Sequence, residues 1–158
     1  MNPDFALALS RLPHGPEFRF LDRIIELTPG QTGVGEYTIR GDEAFLRGHF
    51  PSDPIFPGVL LIEAAAQLAG CVAQSDPRIS PLPGLKLAAV HSAKILAVVR
   101  PGQTIRLTAA ITARLANLIQ ATATATLLPN SVTPMAKFDS QDNLILQCEI
   151  TLAGAAVA

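Results

Sequence analysis

The chain has 158 residues, which is the length of one domain. Hydrophobic residues make up 49% and charged residues 16%, so the composition excludes a disordered chain and predicts a large buried fraction. A formal net charge of −1, with no basic run and no Trp, argues against a nucleic-acid partner. Two Cys and three His form no spaced ligand cluster, so we expect no metal and interpret Cys71 and Cys148 as buried, reduced thiols.

The first part of the chain predicts a short helix followed by two strands. Residues 1–22 form a short helical entry, and they lack the basic leader and cleavage site of a signal peptide, so we expect a cytoplasmic protein. Residues 23–40 contain two strand-like runs separated by a turn at Pro29-Gly30. Residues 41–57, GDEAFLRGHFPSDPIFP, form a loop that is dense in Gly, Pro and Phe.

A long apolar helix is predicted from Gly58 to about Gln74, because Ala and Leu dominate this stretch and no Pro interrupts it. Pro77 marks its end, since the residue before a proline avoids the helical region. The stretch 55–73 is apolar enough to be considered as a membrane span. We expect no membrane association, however, because Glu63 would lie near the bilayer centre at a high energetic cost.

The rest of the chain alternates with period two, which predicts strands over 85–99, 104–115, 117–128 and 143–152, with a loop over 129–142. The inward positions of the last three strands are apolar: Ile105, Leu107, Ala109, Ile111, Ala113, Leu115, Ile119, Ala121, Ala123, Ala125, Leu127, Leu144, Leu146, Cys148, Ile150 and Leu152. The predicted fold class is α+β, with a curved, mostly antiparallel sheet wrapped around one long central helix. Because one sheet covers only part of such a helix, we expect a second copy to complete a dimer.

The segment 48–58 and the helix after it hold the best candidates for chemistry. His49 lies in a loop stiffened by three prolines, and a neutral imidazole can accept a proton near neutral pH. Gly58 begins the helix, where free amide N–H groups can hold an oxygen that gains negative charge. Glu63 lies among apolar residues, which favours its protonated form, and Gln67 is placed one turn later to hydrogen-bond it. A base, an acid and an oxyanion-binding amide fit an elimination reaction.

The segment GHFPSDPIFPGVLLIEAAAQLAG closely resembles the signature of the 3-hydroxyacyl-[acyl-carrier-protein] dehydratases, GHFPGxPxxPGVLxxEAxAQ. A weaker resemblance includes LPHGPEFRFLDRI and AKILAVVRPGQTIRL, so it covers most of residues 12–128. The resemblance implies a single hotdog domain over 1–158 and a hydro-lyase without a cofactor. Its expected reaction converts a (3R)-hydroxyacyl thioester, bound to acyl carrier protein, to a trans-2-enoyl thioester in fatty acid or related lipid biosynthesis.

The resemblance also implies a role for each site residue. His49 removes the α-proton, Glu63 helps to protonate and expel the β-hydroxyl, and the Gly58 amide holds the thioester carbonyl. In this family the His and the Glu of one site come from opposite subunits, so we expect a homodimer or a trimer of dimers. The acyl chain then lies in a tunnel along the dimer interface. Further candidate substrate contacts are Phe50, Phe56, Gln67 and Ile95.

The sequence also departs from the family pattern and leaves alternatives open. Ser52 replaces a usual Gly, and residues 95–97 replace an aromatic and basic residues associated with docking of the carrier protein. The remaining basic candidates for docking are Lys94, Arg100, Arg106 and Arg114. Thioester hydrolysis would require an ionised Glu63, and a non-catalytic acyl-binding subunit would suit the altered loop. A structural Arg partner for Glu63 also remains open, and His14 and His91 are given no role.

Overall fold

The computed structural model describes residues 3–129 and 143–155, which form a six-stranded antiparallel sheet packed against a long helix. The helices are α1 (Pro3–Ser10) and α2 (Gly58–Gln74), with short 3-10 helices at Pro16–Phe18 and Ala44–Arg47. The strands are β1 (Arg23–Thr28), β2 (Thr32–Thr38), β3 (Lys86–Ile95), β4 (Thr104–Leu115), β5 (Leu118–Leu127) and β6 (Leu144–Ala153). The sheet order is β1-β2-β4-β5-β6-β3, and every pairing is antiparallel. This arrangement confirms the predicted α+β architecture.

Helix α2 is the centre of the fold. From Ala64 to Ala73 all of its residues except Gly70 are buried, and the helix packs against β2, β3, β4, β5 and β6. Its bounds agree with the predicted helix, because Pro57 precedes it and Ser75 caps its last turn with a hydrogen bond to the Val72 carbonyl. Among the described residues, no helix is both long enough and apolar enough to cross a membrane.

The alternation correctly predicted most of the buried face of β4, β5 and β6, but it failed at the hairpin tip. Leu115 was expected to point inward, yet 74% of its surface is exposed. The register between β4 and β5 shifts between Ile111 and Ala113, and such a bulge reorients the side chains that follow it. Cys71 and Cys148 are buried and unpaired as predicted, and burial raises the pKa of their thiols to about 12 and about 11.

Strand β3 is shorter than predicted and lies at the edge of the sheet. It ends at Ile95, and the chain returns to strand pairing only at Val99, which forms an isolated bridge with Phe56. Among residues 3–129 and 143–155, β3 pairs with β6 alone, so no described strand pairs with its other side. The loop predicted over 129–142 lies outside the described residues from position 130 onward.

A buried carboxylate links three strands of the sheet. Glu36 on β2 accepts hydrogen bonds from Arg23 Nε on β1 at 2.9 Å and from Arg106 Nη2 on β4 at 2.7 Å. Only 4% of the Glu36 side chain is exposed. Burial alone would raise the pKa of Glu36, but the hydrogen bonds from Arg106 and Arg23 outweigh it and hold that pKa below its usual value.

We expect Glu36→Gln to lower the free energy of unfolding by about 1–3 kcal/mol at neutral pH, because two guanidinium groups lose their carboxylate. A lowered native-state pKa means that the carboxylate stabilises the fold above its unfolded pKa and that this contribution disappears as the pH falls through the folded pKa. Urea denaturation at several pH values measures the difference, with the exposed Glu149→Gln as the control. A difference that stays constant into strong acid would contradict this account.

Candidate active site

His49 is held by backbone hydrogen bonds in the loop before α2. Its N–H donates to the Leu46 carbonyl at 3.3 Å, and its own carbonyl accepts from the Ile55 N–H at 3.0 Å. The ring Nδ1 lies 3.0 Å from the Ile55 carbonyl oxygen, which can only accept, so Nδ1 carries the hydrogen. In the neutral ring Nε2 is therefore the unprotonated nitrogen, and it is available as a base. The ring stacks on Phe50, with 4.3 Å between centroids.

Gly58 starts α2 and allows a close approach to the end of β3. A Cβ at this position would lie 2.6 Å from Ile95 Cδ1, so the absence of a side chain lets Ile95 pack against the helix start. The first amide N–H groups of a helix have no intrahelical acceptor, and the helix dipole makes this end partly positive. The structure therefore places a potential oxyanion-binding amide beside Ile95.

The two candidate aromatic residues occupy different environments. Phe56 is 2% exposed and belongs to an aromatic cluster, in which its ring centroid lies 5.6 Å from those of Phe20 and Phe45. Its backbone N–H donates to the Val99 carbonyl at 2.7 Å. Phe56 thus anchors the loop in the core and presents no open surface, unlike the predicted substrate contact. Phe50 is 52% exposed and remains open to a ligand or a second chain.

Glu63 faces a cavity of about 410 Å³ that runs along one side of α2. Ligand sites in proteins commonly enclose about 300–1,000 Å³, so this volume suits a small molecule. The wall includes positions of α2 at helical spacing, the chain before Phe18 and the chain leading into β3. Its lining residues are Arg11, Leu12, Pro13, His14, Phe18, Glu63, Ala66, Gln67, Gly70, Gln74, Leu82, Gly84, Leu85, Lys86, Leu87 and Leu152.

Gln67 fixes the orientation of the Glu63 carboxyl group. Its Oε1 accepts from the Phe20 N–H at 2.8 Å, and its Nε2 donates to the Phe18 carbonyl at 2.9 Å, so the amide cannot be reversed. The same Nε2 donates to Glu63 Oε1 at 3.0 Å. Among the described residues no hydrogen bond reaches Glu63 Oε2. The two carboxyl oxygens therefore have distinct environments.

His14 is the residue of the site that sequence reasoning missed. Its Nε2 lies 3.1 Å from Glu63 Oε1, and its Nδ1 is buried without a hydrogen-bond partner in the described parts of the chain. The structural Arg partner considered for Glu63 is not observed there, because His14 occupies the position. The expected hydrogen bond from Gln67 to Glu63 is present, whereas the unexpected contact with His14 makes the surroundings of Glu63 more polar than the neighbouring sequence suggests. The only sequence signal for His14 was its position in LPHGP, a segment that resembles the corresponding part of the dehydratase family.

A single chain does not bring all the candidates into one cavity. The cavity that contains Glu63 and Gln67 is not lined by His49, Gly58 or Phe50. In one protomer the base candidate therefore does not line the cavity that contains the acid candidate.

Most of the basic residues considered for carrier docking are already engaged. Arg100 pairs with Asp53, Arg106 with Glu36, and Arg114 donates to backbone carbonyls. Lys94, near the end of the edge strand β3, makes no ion pair with the described residues 3–129 and 143–155.

An antiparallel sheet wrapped around one central helix defines the hotdog class of proteins. Among solved structures, the dehydratase heterocomplex ApeI:P from Xenorhabdus doucetiae matches with a TM-score of 0.71, at 12% identity, covering 93% of this chain and 90% of that chain. Zebra fish thioesterase superfamily member 2 matches with a TM-score of 0.62, at 15% identity, covering 94% and 91%. At these identities the likeness establishes the fold alone.

The sequence model of the FabA-like domain family matches residues 12–132 of this chain. The chain belongs to the FabA-like domain family. A 3-hydroxyacyl-[acyl-carrier-protein] dehydratase FabZ of Chloroflexus aggregans is 42% identical over 99 residues, covering 63% of this chain and 68% of the relative. The FabZ of Caldanaerobacter subterraneus subsp. tengcongensis is 39% identical over 110 residues, covering 70% and 77%. These similarities confirm the family that the central motif resembles.

Proposed function

We infer that this protein is a 3-hydroxyacyl-[acyl-carrier-protein] dehydratase, a hydro-lyase of fatty acid biosynthesis. The observation that carries this conclusion is the Glu63 carboxyl, which is oriented by Gln67 at a ligand-sized cavity in a chain about 40% identical to FabZ enzymes. His49, with its Nε2 free to accept a proton, supplies the complementary base.

In the proposed reaction, His49 Nε2 takes a proton from the α-carbon of the acyl thioester. The C–H electron pair forms the double bond between the α- and β-carbons, and the bond between the β-carbon and its hydroxyl oxygen breaks. Glu63 gives its proton to that oxygen, which leaves as water, and the proton on His49 returns to Glu63 through solvent. The amide groups at Gly58 hold the thioester oxygen as it gains negative charge.

The contacts around Glu63 distinguish its two carboxyl oxygens. Gln67 Nε2 can only donate, and it points to Oε1. His14 Nε2 contacts the same oxygen. A proton on Oε1 would compete with the Gln67 N–H group, so we propose that the acid proton resides on Oε2, the oxygen left free for the substrate. His14 then acts as a positioning residue, donating from Nε2 to Oε1.

We propose that a second copy of the chain completes the site across an interface at β3. The outer edge of this strand pairs with no other described strand of the chain, and exposed apolar side chains cluster on it and just beyond it: Val90, Ile95, Leu96 and Val98. A long apolar edge strand favours pairing with another strand. Such an interface would bring the His49 loop of one copy toward the Glu63 cavity of the other. Mass measurement in solution should therefore give a dimer or a trimer of dimers.

We also propose that acyl carrier protein delivers the substrate, because this carrier is part of the name of the FabZ relatives. Lys94 is the best placed of the four basic candidates to contact an acidic partner, since the other three are engaged within the chain. Because Lys94 makes no ion pair with the described residues, its charge is available to an acidic partner.

The proposed function is tested by following the absorbance of the conjugated enoyl thioester. We expect turnover of 3-hydroxyacyl groups on acyl carrier protein, with slower turnover of the coenzyme A thioesters. A parallel assay measures the thiol released from a saturated acyl thioester, and we expect none above background. Release of thiol without enoyl formation would instead indicate a thioesterase, and binding without either product would indicate a non-catalytic subunit.

We expect His14→Ala to lower kcat about tenfold, because Glu63 Oε1 loses one of its two contacts while the acid itself remains. KM should change little, since His14 acts on Glu63 and not on the bound thioester. His14→Gln, which keeps an N–H donor, should recover part of the lost kcat. Steady-state kinetics with thermal melts check this, and an equal loss in both variants with an unchanged melt would contradict the positioning role.

A further inference from the structure

Gly70 stands out within the buried middle of α2. Every other residue from Ala64 to Ala73 is buried, but Gly70 is partly exposed and lines the cavity that contains Glu63. Residues 63, 66, 67, 70 and 74 recur at helical spacing, so they share one face of α2. Gly70 therefore forms part of the cavity floor, two turns beyond the candidate acid.

Packing against the described residues does not explain a glycine at this position. A Cβ on Gly70 would lie 3.8 Å from Leu85 Cδ2 and 3.9 Å from Leu152 Cδ1, which are ordinary contacts. At Gly33, Gly35 and Gly58, by contrast, an added Cβ would lie within 2.6 Å of a neighbouring side chain. The α2 backbone is regular and requires no positive φ at Gly70. Gly within a helix is less stable than Ala, so a Gly at this position sacrifices helix stability and leaves the cavity open.

Beyond Glu63 the cavity follows α2 and has one apolar wall, which suits an acyl chain. From Glu63 to Gln74 the α2 floor extends about 16 Å, at about 1.5 Å per residue. The opposite wall is rich in leucine, with Leu82, Leu85, Leu87 and Leu152. At the far end Gln74 exchanges two hydrogen bonds with the backbone of Leu82, at 2.7 and 2.9 Å, so its polar groups are satisfied within the protein.

We propose that Gly70 is a specificity-determining residue that keeps this cavity open for the distal part of a medium-length acyl chain. The inference rests on the proposed function, because it takes the thioester end of the substrate to lie at Glu63. A short hydroxyacyl group does not reach Gly70, whereas a longer chain must pass over it. A methyl group at this position therefore obstructs long substrates selectively.

The test compares 3-hydroxybutyryl and 3-hydroxydecanoyl groups on acyl carrier protein with the wild type, Gly70→Ala and Gly70→Val. We expect the ratio of kcat/KM for the long over the short substrate to fall about tenfold in Gly70→Ala and further in Gly70→Val. The melting temperature of Gly70→Ala should rise by about 2–4 °C, because Ala favours the helix. Adding Leu85→Ala to Gly70→Val should restore part of the ratio by widening the opposite wall.

An unchanged ratio of kcat/KM for the long over the short substrate would overturn the proposal. An equal loss of kcat/KM on both substrates, together with loss of the oligomer, would also overturn it, because Gly70 would then be a packing residue between copies. If the wild type dehydrates neither substrate, the proposed function fails and the cavity is tested by binding alone. In that case calorimetric titration measures the affinity of the protein for dodecanoyl-pantetheine and for butyryl-pantetheine. A weaker affinity of Gly70→Ala for the dodecanoyl ligand alone would still support an acyl-chain site.

Discussion

Replacing His49 with Ala is expected to lower kcat/KM for enoyl formation by about a thousandfold, because the variant lacks the proposed base for the α-proton. The hydrogen bond from Nδ1 to the Ile55 carbonyl holds the ring and leaves Nε2 as the base, so the variant loses both features. The absorbance assay with a carrier-bound 3-hydroxyacyl group measures the effect.

The His49→Ala substitution should impair the chemical step and leave the fold intact. The ring of His49 is only half-buried and makes one side-chain hydrogen bond, so we expect the melting temperature and the oligomeric state of His49→Ala to match the wild type. Substrate binding, measured as KM or by titration with a saturated analogue, should also persist. Wild-type turnover by a folded His49→Ala protein would remove His49 from the reaction.

Glu63→Gln is expected to produce a loss of similar size for a different reason. The amide oxygen of the new side chain can take the place of Oε1 and accept from Gln67 and His14, so the local structure is retained. An amide group then occupies the position of Oε2, and it cannot give a proton to the leaving hydroxyl. We expect a fall of about a thousandfold in kcat, with KM little changed.

The Glu63→Gln result also separates acid catalysis from a structural role. Glu149→Gln, the same change on the exposed face of the sheet, should leave turnover unchanged. If Glu63→Gln retained activity while Glu63→Ala lost it together with stability, the carboxyl would act only as a hydrogen-bond acceptor that supports Gln67 and His14. That outcome would exclude Glu63 as the acid.

The elements with strong local signals were predictable from the sequence. The bounds of α2 follow from Pro57, which precedes the helix, and from Pro77, which prevents the helix from continuing. The alternation of β4, β5 and β6 identified most of their buried face. These signals are local, because they depend on residues a few positions apart. The exposure of Leu115 was not predicted, because it depends on a register shift between β4 and β5. Such a shift does not change the alternation of apolar and polar residues in the sequence.

The part of the site that depends on contacts distant in the sequence was not predictable from residues 48–67 alone. His14 meets Glu63 only because the chain after α1 folds over the exposed face of α2, and a single His among Pro and Gly carries no intrinsic signal. Phe56 looked like a ligand contact because it flanks His49 in sequence, yet three aromatic rings from other segments enclose it. The space above Gly70 likewise appears only when Leu85 and Leu152 are in place.

The proposed active site combines His49 of one copy with Glu63 of another. It is tested by co-expressing His49→Ala and Glu63→Gln chains with different tags, purifying assemblies that contain both, and measuring enoyl formation. In a mixed dimer one site carries both substitutions and the other carries neither, so about half of the wild-type turnover per dimer is expected. Mixed dimers as inactive as the two parent variants would contradict the claim and place both residues in a site within one chain.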